Sequence, residues 1–349
     1  MTTHQDAVDL ALAAVDEDGF TRAEDGTMLA QTSSQAIIAT MIRELDVTPG
    51  DAVLEIGTGS GYSTALLAHL TGPDGSVVSL DVVPELTERA AKILSDTGYR
   101  QARTVTGDGA LGEPPHAPYN KIIAWTTPEV VPSTWIAQAA DGARLVTPVN
   151  IGGLSKTYAV ITAQIEAGRL NLADRVICGA FVEMSARIRT DWLLPPHGVS
   201  TLHTTGENKP LWLSAAWLDD PAFETAGRDL ARQLATDSTV LDSPLRDDDD
   251  PVGFYAWLLA TRPEGLTTAC LSDPQWRIGH TGPDSAALLP LAGRTPLIAA
   301  GQHRSIHALS TWIERWRGQG APGWQELRPY AELTAAGNWA IRVTQRPPE

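Results

Sequence analysis

Three glycines at alternating positions, Gly57, Gly59 and Gly61, end the apolar run Ala52-Val53-Leu54-Glu55-Ile56 and precede a helical pattern, Tyr62-Ser63-Thr64-Ala65-Leu66-Leu67-Ala68. The order is strand, tight turn, helix. Without Cβ atoms the backbone turns sharply there and can come close to a ligand. The spacing is G-x-G-x-G. Dinucleotide turns more often read G-x-G-x-x-G and admit a pyrophosphate at the helix start. Glu55 stands two residues before the first glycine, where a carboxylate repels phosphate and suits a cationic ligand.

A glycine turn alone is a weak signal, because many such turns hold nothing. Three later features strengthen it. The strand Val77-Val78-Ser79-Leu80 ends in Asp81, an acid about 20 residues beyond the turn, where it can accept from both hydroxyls of a ribose. The strand Arg103-Thr104-Val105-Thr106 ends in Gly107-Asp108-Gly109, a short acid between glycines that fits an adenine amine. Read blandly, it is a D-G turn. The strand Lys121-Ile122-Ile123-Ala124-Trp125 leads into Thr126-Thr127-Pro128. All lie at carboxyl ends of strands, where open α/β sheets bind ligands. A nucleoside carrying a cationic group, such as S-adenosylmethionine, meets these demands together.

The elements around them alternate strand and helix from Asp51 to Val149, which implies parallel βαβ units in a doubly wound, Rossmann-like sheet. Helices are expected near 4–18, 34–46, 62–71, 84–97 and 132–140, and a polar loop from Thr21 to Leu29. A fifth strand is expected at Ala143–Thr147 after an Asp141-Gly142 turn. Tyr158–Ile165 and Ala180–Ile188 read as strands joined through Gly168-Arg169. Beyond Pro195-Pro196 the pattern changes to proline, tryptophan and short strands, an additional α+β region. Three parts are expected: 1–50 with the N-terminal helices, 51–195 with the parallel sheet, and 196–349 as a C-terminal extension.

The 349 residues are 43% apolar and carry a net charge of −16. An acidic chain without a Lys/Arg cluster argues against nucleic acid as partner. No stretch approaches 18 apolar residues, so no membrane span is expected. Met1–Phe20 has no signal-peptide core, and a cytoplasmic protein is expected. Cys178 and Cys270 make no metal or redox spacing. His303 and His307 are four apart with no third ligand in view, so no metal site is expected. Asp247–Asp250 reads as a solvated loop feeding a helix N-terminus. Ser305–Trp316 reads as an amphipathic helix. Ten of the eleven tryptophans lie beyond residue 130. They read as core packing before they read as a peptide-gripping groove.

Residues 22–150 resemble the protein-L-isoaspartate O-methyltransferases. Gln31-Thr32-Ser33-Ser34-Gln35 is similar to that family's substrate motif, which runs roughly Q-T-I-S-x-P. Val53–Tyr62 is similar to its first cofactor motif and Gly107-Asp108-Gly109 to its adenine motif. Pro128 to Val149 follows its stretch after strand four, with Pro132, Gln138, Gly142 and Pro148 in register. Three positions depart from the family: Ser33, Ala36 and Asn120 stand where it has isoleucine, proline and aspartate. The chain also runs well past the family's usual end. Ala180–Arg187 and Gly301 to Trp339 resemble a longer branch that methylates an aspartate of a constrained ribosomal peptide, the ester collapsing to an aspartimide.

The resemblance implies S-adenosylmethionine as co-substrate, held by the turn Gly57–Gly61 with Glu55, Thr58, Ser60 and Tyr62. It implies that Asp81 and Val82 take the ribose, Gly107–Gly109 the adenine side, and Thr126 the far wall. Ser34 and Thr32 become candidates for holding the acceptor carboxylate, with Ser33, Gln35 and Thr127 beside the substrate. As plain structure, Thr32 and Ser34 would cap a helix, worth about 1 kcal/mol. A carboxylate acceptor is ionised at neutral pH and needs no general base, in agreement with the lack of a His/Asp dyad near the motifs. Two other functions fit less well: a general isoaspartyl repair enzyme, and a cofactor-binding module that recognises a partner or leader peptide.

Overall fold

The structure is a computed structural model and describes residues 4–23, 25–29, 33–188, 195–204, 210–271 and 275–346. Thr32 and Gln31 lie outside the described residues. The chain divides into two compact units. The first comprises Met1–Val149, Ala159–Thr190 and Ala331–Ile341, the second Asn150–Tyr158, Asp191–Tyr330 and Arg342–Glu349.

The first unit opens with helices α1 (His4–Ala14), α2 (Glu17–Thr21) and α3 (Gln35–Leu45). There follow β1 (Ala52–Ile56), α4 (Tyr62–Thr71), β2 (Ser76–Asp81), α5 (Pro84–Asp96), β3 (Ala102–Thr106), β4 (Tyr119–Ala124), α6 (Ser133–Ala137), β5 (Ala139–Asn150), β6 (Tyr158–Glu166) and β7 (Arg169–Ile177). The sheet order is β3-β2-β1-β4-β5-β6-β7. The pairs β1–β2, β1–β4, β2–β3 and β4–β5 are parallel, and β6–β7 is an antiparallel hairpin. This is the expected Rossmann-like doubly wound sheet, with its order reversing beside β1. Val53, Leu54, Val77, Ile122 and Ile123 are fully buried, as both-face coverage of parallel strands demands. Helices α1, α3 and α4 enclose one core with Ile42, Leu45, Leu66 and Leu67.

Two expectations shift. The fifth strand begins at Ala139 and takes Asp141-Gly142 into itself through an irregular register with β4; Gly142 has φ +81°, so the turn signal is a kink within a strand. The second strand of the hairpin is Arg169–Ile177, directly after Ala167-Gly168, not 180–188. Ala167 and Gly168 have φ +49° and +72°, the left-handed pair that suits a two-residue hairpin. Residues after 177 instead run to the end of β4: Thr127 N–H donates to Val182 O (2.7 Å) and Met184 N–H to Thr127 O (2.9 Å).

The second unit is built on β8 (Thr201–Thr204), β9 (Pro210–Ala215), α7 (Glu224–Thr236), β10 (Thr239–Leu241), α8 (Pro251–Thr261), β11 (Leu266–Leu271), β12 (Trp276–Gly282), β13 (Ser285–Pro290), β14 (Leu297–Gly301) and α9 (Arg304–Gly318). Its sheet, β10-β14-β13-β12-β11-β9-β8, is antiparallel throughout. Leu211, Leu213, Leu230, Leu234 and Leu288 form a core between it and α7. Asp250 caps α8 by accepting from Val252 N–H (3.0 Å), the expected use of the acidic run. Its neighbour Asp249 instead accepts from Arg317 Nε (3.0 Å), and this bond holds the Asp249 carboxyl below the usual carboxylate range. Trp257 and Trp316 are fully buried and pack on Phe254 with centroids 6.1 and 5.5 Å away, which is the packing expectation for these tryptophans.

A last hairpin, β15 (Leu327–Leu333) with β16 (Trp339–Gln345), passes through both units. Its tip belongs to the first. There Val131 and Trp339 exchange backbone bonds of 2.8 and 3.0 Å, and Asn338 Oδ1 accepts from Ser133 N–H at the start of α6 (3.0 Å). Pro132, expected within that helix, sits one place earlier as its N-cap. Among the described residues no helix is long and apolar enough to cross a membrane, and no group of three or more His, Cys, Asp or Glu is placed to hold a metal ion.

Candidate active site

The site lies at the carboxyl ends of β1 to β4. Gly57, Gly59 and Gly61 have φ of +96°, +50° and +84°, conformations that non-glycine residues reach at a cost of roughly 1–2 kcal/mol each. At Gly61 a Cβ would also come within 2.9 Å of Ala90 Cβ, so close helix packing depends on its absence. The turn is tied to β2: Gly57 N–H and Thr58 N–H both donate to Leu80 O (2.7 and 3.0 Å), and Thr58 Oγ1 pairs with Ser79 Oγ (2.7 Å).

Asp81 stands at the tip of β2, partly exposed. Its Oδ2 accepts from Gly59 N–H (2.9 Å) and its Oδ1 from Val83 N–H (3.0 Å). A carboxylate has about four lone-pair directions, so both oxygens keep capacity for further donors. Val82 lies beside it, half-buried. Gly107 N–H donates to Asp81 O (2.9 Å), which draws the end of β3 alongside. Asp108 Oδ1 accepts from Ala110 N–H (2.9 Å) and opens a single 3-10 turn, Gly109–Leu111. Gly109 has no room for a side chain, since a Cβ would stand 2.5 Å from Ile56 Cγ2. Its carbonyl accepts from Trp135 Nε1 (2.8 Å).

Thr126, at the end of β4, has a buried Oγ1 with no hydrogen-bond partner among the described residues. A buried hydroxyl left unpaired is costly, and such atoms in native sites commonly await a ligand or water. Gly57 and Thr126 face each other, a Gly57 Cβ falling 3.3 Å from Thr126 Cγ2. The structure therefore brings Gly57–Gly61, Asp81, Gly107–Gly109 and Thr126 to one rim.

Four expected contacts turn inward. Glu55 is fully buried, and its carboxylate accepts from Ser63 Oγ (2.6 Å), Thr64 Oγ1 (2.5 Å) and Trp125 Nε1 (2.7 Å). It braces α4 and β4 under the turn and makes no direct contact in the cleft. Thr58 spends its hydroxyl on Ser79. Tyr62 is buried, its hydroxyl accepting from Gln35 Nε2 (3.1 Å). Thr127 is also buried and donates its hydroxyl to Phe181 O (3.1 Å), so it anchors the 181–184 segment where a substrate contact was expected. Ser60 Oγ accepts weakly from Tyr62 N–H (3.3 Å).

Burial raises the Glu55 carboxyl above its ordinary 4.5, against the hydrogen bonds that favour the charged form. Folding therefore favours protonated Glu55. Its contribution to stability is fully present below the unfolded value and is lost as pH rises through the raised folded value. Against a Glu55→Gln variant, which stays neutral, the wild type should gain relative stability as the pH is lowered towards 4.5. Denaturant titrations across that range read the gap, and a flat gap would mean that Glu55 ionises as it would in water.

Ser34 occupies the N-cap of α3, its carbonyl accepting from Ile37 and Ile38 N–H (both 3.1 Å). Its side chain makes no capping bond and is exposed, leaving the hydroxyl available. Ser33 is half-buried beside it. Gln35 Nε2 also donates to Glu17 Oε2 (3.1 Å), so Gln35 ties α2 to the start of α4. Sequence reasoning missed Arg89 of α5. Its Nη1 donates to Phe20 O (2.7 Å) and Ser60 O (3.2 Å), its Nη2 to Arg22 O (2.7 Å). A basic residue one helical turn past Glu85 looks like ordinary surface, and no local pattern marks it. The hydroxyls at 63 and 64 were legible in principle, since a carboxylate in mid-strand must find donors.

A glycine turn at the switch point of a doubly wound sheet, flanked by acids on the next two strands, defines a methyltransferase-type Rossmann-like site. Residues 3–183 match the family described as protein-L-isoaspartate(D-aspartate) O-methyltransferase (PCMT), and the chain belongs to that family. It is similar to the protein-L-isoaspartate O-methyltransferase of Ignicoccus hospitalis (42% identity over 34% of this chain and 56% of the relative). It is equally similar to that of Gloeobacter violaceus (42% over 38% and 64%). The chain thus spans little more than half the length of these relatives. A solved protein-L-isoaspartate O-methyltransferase superposes over 96% of this chain and 94% of its own, with 19% identity and a TM-score of 0.49.

Proposed function

We propose that the chain is an S-adenosylmethionine-dependent carboxyl O-methyltransferase that acts on an aspartate of a cyclised ribosomal peptide, the ester then closing to an aspartimide. The observation that carries the methyltransferase reading is the pairing across the cleft of Asp81, with spare acceptor capacity on both oxygens, and the unpartnered buried hydroxyl of Thr126. A ribose offers two donors to the first. The backbone of Gly57–Gly61 gives close approach, Val82 lines the ribose side, and Asp108 between Gly107 and Gly109 takes the adenine amine. When bound, the cofactor supplies a methyl group on a cationic sulfur, already activated for transfer.

The protein's own task is to strip water from the acceptor carboxylate and hold it in line. Orientation of this kind supplies roughly 7–11 kcal/mol in well-aligned model reactions. Ser34, with Thr32 from the same motif and Ser33 next to it, holds the carboxylate by hydroxyls, which avoids a tight ion pair that would blunt it. The carboxylate oxygen gains the methyl, and the ester carbonyl is then electrophilic. The following backbone nitrogen attacks it, losing its proton as methanol departs, and a five-membered imide closes without further help.

The aspartate reading rests on the second unit, a seven-stranded sheet with its own core that lies beyond the matched residues 3–183. It adds surface for a constrained peptide and so for specificity through remote binding. The protein would meet such a peptide in the cytoplasm. The relatives' names favour the other acceptor, isoaspartate in damaged protein. One assay separates the two: cyclised precursor and short isoaspartyl peptides are each offered with S-adenosylmethionine and followed by mass. The precursor should gain a methylene and then show a net loss of one water. Efficient turnover of generic isoaspartyl peptides with an inert precursor would establish repair instead.

A further inference from the structure

Arg89 joins three pieces of chain that the proposed reaction needs in register. One nitrogen, Nη1, is shared between Phe20 O at 2.7 Å and Ser60 O at 3.2 Å, and Nη2 binds Arg22 O at 2.7 Å. Ser60 lies in the glycine-rich turn. Phe20 lies in the last turn of α2, and Arg22 is its C-cap. Around this guanidinium the same segments touch again. Phe20 packs on the Tyr62 ring with centroids 6.5 Å apart, and Gln35, next to Ser34, bonds both Glu17 of α2 and the Tyr62 hydroxyl. Arg22 in turn bridges to Met28, on the path to the substrate motif. A planar fork with donors on both arms can hold such a set at once, whereas an ammonium is a single point.

We infer that Arg89 is a positioning residue that makes occupancy of the glycine-rich turn felt by α2 and Arg22, and so sets the acceptor side in register with the donor side. The inference rests on the cofactor reading above. Its physical content is a rigid planar guanidinium whose Nη1 carries two N–H donors, one to each carbonyl: a movement of Ser60 O that draws the guanidinium with it changes the bond to Phe20 O. Backbone bonds beyond it, Arg22 N–H to Asp18 O (3.1 Å) and Ala23 N–H to Thr27 O (2.8 Å), report the effect, because their amides exchange with solvent only when they open.

The test is hydrogen exchange of the full chain with and without S-adenosylhomocysteine, in wild type, Arg89→Lys and Arg89→Ala. In wild type the ligand should slow exchange in Gly57–Tyr62 and also, by about fivefold or more, at Arg22 and Ala23; couplings between sites commonly span 5–150-fold. In both variants Gly57–Tyr62 should stay protected while the ligand's effect at Arg22 and Ala23 falls below about twofold. A purely structural role would speed exchange with and without ligand alike and leave their ratio untouched, and that result overturns the inference. If Arg89→Ala fails to fold, Arg89→Lys carries the comparison. A wild type protected at Gly57–Tyr62 but unchanged at Arg22 and Ala23 also overturns it, with the cofactor reading intact. No protection at Gly57–Tyr62 in wild type overturns the cofactor reading, and this inference with it.

Discussion

Asp81→Ala should weaken S-adenosylmethionine binding by at least about 100-fold. The carboxylate would lose two charge-assisted hydrogen bonds to a ribose, each worth about 1.5–3 kcal/mol, and 1.4 kcal/mol is a factor of ten. A second effect adds to the first. Asp81 Oδ2 holds Gly59 N–H at 2.9 Å, so truncation also frees the middle of the glycine turn. Asp81→Asn keeps one acceptor oxygen and should fall between, near tenfold. Titration calorimetry with S-adenosylmethionine or S-adenosylhomocysteine measures both variants. Wild-type affinity in Asp81→Ala would remove this residue from the site and the ribose from the proposal.

Ser34→Ala should cut methyl transfer per folded molecule by about 100-fold, the scale of a small misplacement at a reacting group. Cofactor affinity should stay near wild type. The structure sharpens the control. An N-cap serine whose side chain bonds the helix costs about 1 kcal/mol on conversion to alanine, but the Ser34 hydroxyl makes no such bond. Thermal stability should therefore move by clearly less than that. Turnover, melting temperature and cofactor affinity on one preparation decide the matter. Undiminished turnover with a lowered melting temperature would make Ser34 a cap and nothing more.

The parallel half of the fold was legible because its signals are local. Apolar runs, glycines and strand-end acids fixed β1 to β4 and helices α4 and α5 within a residue or two. Errors came where long-range pairing decides. Arg169–Ile177 and Ala180–Ile188 have similar composition, and only the left-handed Ala167-Gly168 pair selects the first as the partner of β6. Glu55 was placed correctly in β1 and Thr127 just past β4, but both were read as facing a ligand. Their direction depends on donors and acceptors far along the chain, Trp125 for one and Phe181 for the other. Of the second unit the sequence showed helices α8 and α9 and the capping acid, but not α7. The strands β8 to β14 are short, and their order is set by register across distant segments, which no local periodicity encodes.

The tip of the last hairpin limits how this chain can be shortened. The family match stops at residue 183, yet the unit it describes takes Asn338 and Trp339 from a much later part of the chain. A stop codon after the matched segment would not release a small, finished enzyme. It would leave both backbone groups of Val131 and the N–H of Ser133 without their partners, at the edge of the loop that carries Thr126 and Thr127. The segment 331–341 returns to the unit that the earlier residues build. Removal of the segment that carries Asn338 and Trp339 would therefore unsettle the matched unit itself, through the geometry of a single loop.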